Sequence, residues 1–176
     1  MTISARDLLL ERFQWVGGHA DMWPLFRDGD ALRVIVRALV APFRDAGVTG
    51  VCGIESRGFL LGGAAALELG VGFIAVRKAA GMFPGEKLVR ETEPDYRGIR
   101  HSLRIQRASL GPADRVLFVD DWIETGNQAL TVRDLVSAAG AELAGCAVVV
   151  DQMQSNSKET LGHLHALVTS EELPDA

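Results

Sequence analysis

Two adjacent carboxylates, Asp120 and Asp121, follow directly on an apolar run, Val116-Leu-Phe-Val119, and Thr125 and Gly126 come shortly after them. The run reads as a strand over residues 115–119. Residues 126–139, with Ala129, Val132, Leu135 and Val136 on one side, read as a helix. A helix start presents unpaired N–H groups and a partial positive charge, which suits a phosphate. Gly126 lets the backbone come close to such a ligand, and Thr125 adds a hydroxyl donor. Carboxylates repel phosphate, but they bind sugar hydroxyls or the waters of Mg²⁺. Sugar hydroxyls next to a phosphate describe a ribose 5-phosphate. Taken alone, the segment also fits an ordinary strand-to-helix turn with an aspartate at the strand end.

Other reactive side chains fall at comparable places. Glu55, Ser56 and Arg57 follow the apolar run before them, Arg77 and Lys78 close another, and Asp151 closes a third. Ile54-Glu-Ser-Arg-Gly58 nearly matches the nucleophile elbow of serine hydrolases, with His163 and His165 downstream. Ile54 stands where that elbow has glycine, and a hydrolase leaves the acidic doublet unexplained. Cys52 and Cys146 each lie in an apolar run, without a CxxC pair or a histidine at metal spacing. Both read as inert buried thiols in a reducing compartment.

These groups need a frame to hold them. Residues 4–13 form a short candidate helix, and residues 14–29 look irregular, rich in aromatics and glycine. Asp30 is placed to cap a helix whose apolar residues recur from Leu32 to Phe43, until Gly47 stops it. Residues 48–55 read as a strand, 58–69 as a helix closed by Gly70, and 73–77 as a strand, which together make a βαβ unit. From 79 to 100 the pattern dissolves into Gly, Pro and charge. A stretch of that length inside a compact domain points to a functional lid. Short or firm strands follow at 103–105 and 144–150, and two short elements at 158–161 and 166–168. Alternating strands and helices predict an α/β fold with a parallel sheet, whose ligands lie beyond the carboxyl ends of the strands.

The 176 residues fit one domain, and 48% hydrophobic with 23% charged residues supports a full core. A net charge of −5 does not favour nucleic acid as a partner. No apolar run approaches the roughly 18 residues of a membrane span, and the opening residues lack the apolar core of a signal peptide. A soluble, cytoplasmic protein is expected.

The segment after Val116 resembles the phosphoribosyl pyrophosphate signature of the type I phosphoribosyltransferases: apolar residues, an acidic doublet, two apolar residues, a variable one, then Thr-Gly. Gly53-Ile-Glu-Ser-Arg-Gly-Phe59, Gly70-Val-Gly-Phe-Ile-Ala-Val-Arg-Lys78, Pro84-Gly-Glu86 and Leu103-Arg-Ile-Gln106 resemble the adenine branch of that family, in order and spacing. The resemblance implies a five-stranded parallel sheet flanked by helices. It also implies a small hood, built from residues 1–29 and part of 151–176, and a flexible lid at 79–100. Asp120 and Asp121 would hold the ribose hydroxyls. Thr125 and Gly126, with Asn127 and Gln128 as backbone donors, would cradle the 5-phosphate. Glu55-Ser56-Arg57 matches the pyrophosphate loop, which in the family often contains a non-proline cis peptide. Arg77 matches a further pyrophosphate contact, with Lys78 beside it in the substrate-binding set. Asp95 and Tyr96 resemble the lid's Glu-Tyr-Gly and join the catalytic set. The implied reaction is purine salvage from phosphoribosyl pyrophosphate, with Mg²⁺ bound to the donor, in a homodimer.

The sequence departs from that pattern in three places. Glu124, Asn127 and Gln128 stand where the adenine branch usually has Ala and Gly-Thr. In the hypoxanthine-guanine branch a carboxylate before Thr-Gly faces N7 of the purine, so Glu124 is a candidate proton-handling group; otherwise it is a solvated loop residue. The hood motif survives only as His19-Ala20-Asp21-Met22-Trp23-Pro24-Leu25, which leaves 6-oxopurines as alternative bases. Trp15, His19 and Trp23 could stack on a base or form core. After Val150 the sequence Asp151-Gln-Met-Gln-Ser-Asn-Ser lacks the family's usual Glu-Leu motif. A module that senses phosphoribosyl pyrophosphate without turnover is a further alternative, disfavoured by the acidic charge and by Arg57, Arg77 and the lid.

Overall fold

In a computed structural model the fold is described for residues 3–78, 83–94, 98–154 and 161–175. Its centre is a five-stranded parallel sheet in the order β4-β3-β7-β8-β9. The strands are β3 (Gly50–Ile54), β4 (Gly72–Val76), β7 (Arg115–Ile123), β8 (Glu142–Asp151) and β9 (Leu164–Thr169). Strands covered on both faces need apolar residues throughout rather than in alternation, and β3 is buried at every position.

Each face has its own core. Leu117 and Val119 of β7 point to one face, and the intervening Val116 and Phe118 to the other. The first face is covered by α1 (Ala5–Arg12), α3 (Gly29–Val40) and α4 (Arg57–Leu69), through Leu9, Ile35, Leu39 and Leu61. The second is covered by α5 (Asn127–Ala138), through Val132 and Leu135. Helix α4 lies close because its residues are small. A Cβ on Gly62 would stand 2.6 Å from the ring of Phe73 in β4.

The structure corrects several sequence expectations. Residues 14–29 are regular: β1 (Gln14–Val16) and β2 (His19–Asp21) form a hairpin, followed by α2 (Trp23–Arg27). Gly17 and Gly18 both have positive φ, as a tight two-residue hairpin turn requires. The cap of α3 is Asp28 rather than Asp30, its carboxylate accepting from the N–H groups of Asp30 and Ala31. The stretch from 79 to 100 contains β5 (Lys87–Glu91), which pairs with β6 (Ser102–Gln106) in an antiparallel ribbon. The ribbon is regular because Leu103 and Ile105, with the partly buried Leu88, pack into the α5 core. Strand β7 runs on through the acidic doublet to Ile123, because Trp122 and Ile123 pair with β8. The N-terminal lobe also meets the chain's C-terminal residues: Trp15 Nε1 donates to the Pro174 carbonyl (2.8 Å), and Arg6 pairs with Glu172 (2.8 Å). Apart from Leu161, the element expected at 158–161 lies outside the described residues.

Candidate active site

The sheet ends in a cavity of about 450 Å³ at its carboxyl edge. The turn from β3 into α4 supplies Glu55, Ser56 and Arg57, and the end of β4 supplies Lys78. Asp120, Asp121 and residues 124–128 come from the end of β7 and the start of α5. The topology therefore brings together three segments that are distant in sequence.

Close backbone contact sets the first wall. A Cβ on Gly53 would lie 2.1 Å from the Gly58 carbonyl oxygen, and one on Gly58 would lie 3.1 Å from Asp120 Oδ1. Only glycine at both positions lets this turn sit flush against β7. The Glu55–Ser56 peptide is cis, as the resemblance implied. The Glu55 carboxylate accepts from Arg77 Nε (3.1 Å) and from the Lys78 N–H (2.8 Å), tying the turn to β4.

The acidic doublet forms the floor. Asp121 is 5% exposed, and its Oδ2 stands 2.9 Å from Arg57 Nη1. Among the described residues that oxygen has no well-aligned hydrogen bond, so its partner there is the Arg57 charge rather than a directed donor. Asp120 Oδ1 accepts the Asp121 N–H at 2.9 Å. Burial, and next the neighbouring Asp121 carboxylate, hold the Asp120 carboxyl well above the ordinary carboxylate range, with Lys78 acting in the opposite sense.

The third wall is the helix start. Gly126 precedes α5 with φ +82°, a conformation that side chains resist. No side chain caps α5 at Gly126, and the Thr125 hydroxyl accepts the Asn127 N–H only at 3.3 Å. These donors can turn to an anion, since leading N–H groups lack helical partners.

The expected residues divide accordingly. Glu55, Ser56, Arg57, Lys78, Asp120, Asp121, Glu124, Thr125, Gly126, Asn127 and Gln128 all line the cavity. Arg77 does not: its guanidinium binds Glu55 and lies 5.9 Å from the centre of the Phe83 ring. Asp95 and Tyr96 lie outside the described residues. His163 stacks on Phe43 at 4.7 Å and His165 meets the Ala38 carbonyl at 3.1 Å, so neither accompanies Ser56 and the hydrolase arrangement does not form.

The aromatic candidates are elsewhere too. Trp15 packs edge-on between Phe13 and Trp122, His19 is exposed, and Trp23 is exposed on an outer surface, edge-on to the buried Phe26. In their place Trp122 lines the cavity, its indole N–H donating to Gln152 Oε1 at 2.7 Å. The stretch expected as a lid contributes Thr92 and Glu93 to the lining, and His101 just beyond it joins them, though sequence reasoning singled out none of the three. The β5–β6 register is what brings the three together, because they sit just beyond its last pair, Glu91 with Ser102.

Residues 30–161 match the family model described as the phosphoribosyl transferase domain. The adenine phosphoribosyltransferase of Methylococcus capsulatus is 40% identical over 141 residues, 80% of this chain and 81% of that protein. That of Nitrosococcus oceani is 41% identical over 150 residues, 84% and 86% of the two chains. Among solved structures, the Giardia lamblia enzyme complexed with 9-deazaadenine superposes with TM-score 0.84 and 29% identity, covering 96% of this chain and 99% of its own. The Rhodothermus marinus adenine phosphoribosyltransferase gives 0.80 and 31%, covering 94% and 98%.

Proposed function

The chain belongs to the phosphoribosyltransferase family, and from that premise we propose that it is an enzyme of purine salvage. It transfers the 5-phosphoribosyl group from phosphoribosyl pyrophosphate to a purine base, adenine before others, giving the nucleoside monophosphate and pyrophosphate. The observation that carries this reading is the meeting of the acidic doublet, Arg57 and the Thr125-Gly126 helix start in one cavity.

The roles follow from charge. The α5 start and Thr125 bind the 5-phosphate, and Asp120 and Asp121 accept hydrogen bonds from the ribose hydroxyls. As pyrophosphate leaves C1, negative charge grows on it and positive charge on the sugar. Arg57 and Lys78 face the former, and the doublet lies beside the latter. The Arg57–Asp121 pair balances two charges that the donor would otherwise meet separately. Glu55 positions the pyrophosphate turn through Lys78 and Arg77. Asp95 and Tyr96 are assigned to the catalytic group by the resemblance alone, and a lid that keeps water from hydrolysing the donor is the role it implies for them.

The donor set suits Mg²⁺ carried in on the substrate. Among the described residues no group of three or more His, Cys, Asp or Glu side chains could hold an ion alone. Magnesium is commonly held by one or two carboxylates together with substrate phosphates and waters. Asp121 and Asp120 are the carboxylates placed for that, and the ion would neutralise charge on the departing pyrophosphate.

Glu124 favours a second reading of the base. It lines the cavity directly before the phosphate loop, where a carboxylate can accept the imidazole proton of a purine. That allows hypoxanthine or guanine as the acceptor. The protein is taken to act as a homodimer without nucleic-acid or membrane partners. Among the described residues no helix is long and apolar enough to cross a membrane. The deciding assay is pyrophosphate release from the donor with each purine and pyrimidine, with and without Mg²⁺. Adenine should be used fastest, only with the metal, and no turnover with any purine would reject the assignment.

A further inference from the structure

The Asn127 side chain joins the phosphate loop to the rim at the end of the β5–β6 ribbon. Asn127, the first residue of α5, donates from Nδ2 to the Pro94 carbonyl at 2.9 Å. Pro94 follows Thr92 and Glu93, which line the cavity with His101. We propose that Asn127 is a positioning residue, a latch holding this rim over the donor cavity.

The rim is built as a stiff arm. Beyond the last β5–β6 pair the ribbon continues by one rung: the Thr92 N–H donates to the His101 carbonyl, and the His101 N–H to Thr92 Oγ1, both at 2.9 Å. Thr92 is 1% exposed, and Arg100 braces the rung through the Thr92 carbonyl (3.2 Å) and Glu93 (3.2 Å). The arm is held in two very different ways. At its base, Leu103 and Ile105 are buried in the same core as Ala129 and Val132 of α5, and buried cores are the last parts of a fold to open. At its tip Asn127 contributes a neutral hydrogen bond to the Pro94 carbonyl. Loss of the Asn127 bond should therefore be felt at the tip before the base.

The latch also touches the ligand site. The Asn127 N–H belongs to the helix start that receives the 5-phosphate, and it now leans on Thr125 Oγ1 at a loose 3.3 Å. A phosphate that draws in this N–H fixes the backbone of the residue whose side chain secures the rim. Filling the cradle and closing the rim are thereby coupled through one residue. Glycine at this position could serve the phosphate equally well but could not hold the rim.

This inference rests on the proposed donor site, but its first test does not. Hydrogen exchange in the ligand-free protein reads the latch directly. In Asn127→Ala the Thr92 and His101 amides should exchange about fivefold faster, the size of one neutral hydrogen bond, with the α5 interior unchanged. Asn127→Gln, which keeps the amide donor, should restore part of the protection. Unchanged exchange at Thr92 and His101 overturns the latch, and so does acceleration that spreads equally through α5. The second readout is affinity for phosphoribosyl pyrophosphate with Mg²⁺, which should weaken by about the same fivefold in Asn127→Ala. If the parent protein does not bind that donor, the proposed function fails while the exchange result still decides the latch. If exchange rises and donor affinity is unchanged, the coupling is refuted.

Discussion

Gly53→Ala tests the tight seating of the β3–α4 turn against the rest of the site. The new methyl would begin 2.1 Å from the Gly58 carbonyl oxygen and 3.1 Å from the Val119 carbonyl, whereas real contacts essentially never fall below 3.0 Å. Backbone on both sides confines it, so the turn must move outward by roughly 1 Å. That turn carries Arg57, which stands 2.9 Å from Asp121 Oδ2, and the movement separates the two. A misplacement of about 1 Å at a reacting centre costs on the order of 100-fold in rate. Overpacking costs about 1–3 kcal/mol, which in a chain of this size lowers Tm by roughly 2–12 °C. The control is Gly63→Ala on α4, where a Cβ meets nothing within 4 Å. It should keep full activity and gain up to about 1 kcal/mol from helix propensity. Both proteins are assayed for kcat/KM well below their melting temperatures, with Tm followed by circular dichroism. If Gly53→Ala keeps kcat/KM within about twofold of the parent while folded, the close fit does not govern the site.

Three further outcomes are expected. Asp120→Asn combined with Asp121→Asn should abolish donor binding or turnover with the fold intact by circular dichroism, and normal activity would show that the doublet is not the ribose site. Asp120→Asn alone should stabilise the protein at neutral pH. The parent's carboxyl is raised in the folded state, so its contribution is full below the unfolded value and lost as pH rises through the folded one. Thermal melts should show the variant's advantage at about pH 8 and its disappearance near pH 4; an equal advantage at both would contradict the raised Asp120 carboxyl. Glu124→Ala should lower kcat with a purine more than it weakens donor binding, by the roughly 100-fold or more typical of a lost proton acceptor. Tighter donor binding with intact kcat would instead make Glu124 a loop charge that repels phosphate.

The grouping of the candidate site's residues was legible because it is local in the chain. Asp120, Asp121, Thr125 and Gly126 are neighbours, and a strand running into a helix start fixes their mutual geometry wherever it occurs. Glu55 to Arg57 were legible for the same reason, and the apolar strands announced a parallel sheet buried on both faces. What needed tertiary structure is whatever depends on partners remote in sequence. Asn127 could be read as a backbone donor, but its side chain finds the Pro94 carbonyl only because the β5–β6 ribbon folds across α5. That ribbon was hidden in a polar stretch, since its stability comes from Leu88, Leu103 and Ile105 meeting a helix later in the chain. Arg77 shows the limit from the other side. Its spacing fits a substrate contact, yet Glu55 and Phe83 take its guanidinium. The local chain dictates which groups can do chemistry, and long-range packing dictates which of them face the same cavity, because a side chain's direction depends on neighbours that only the fold supplies.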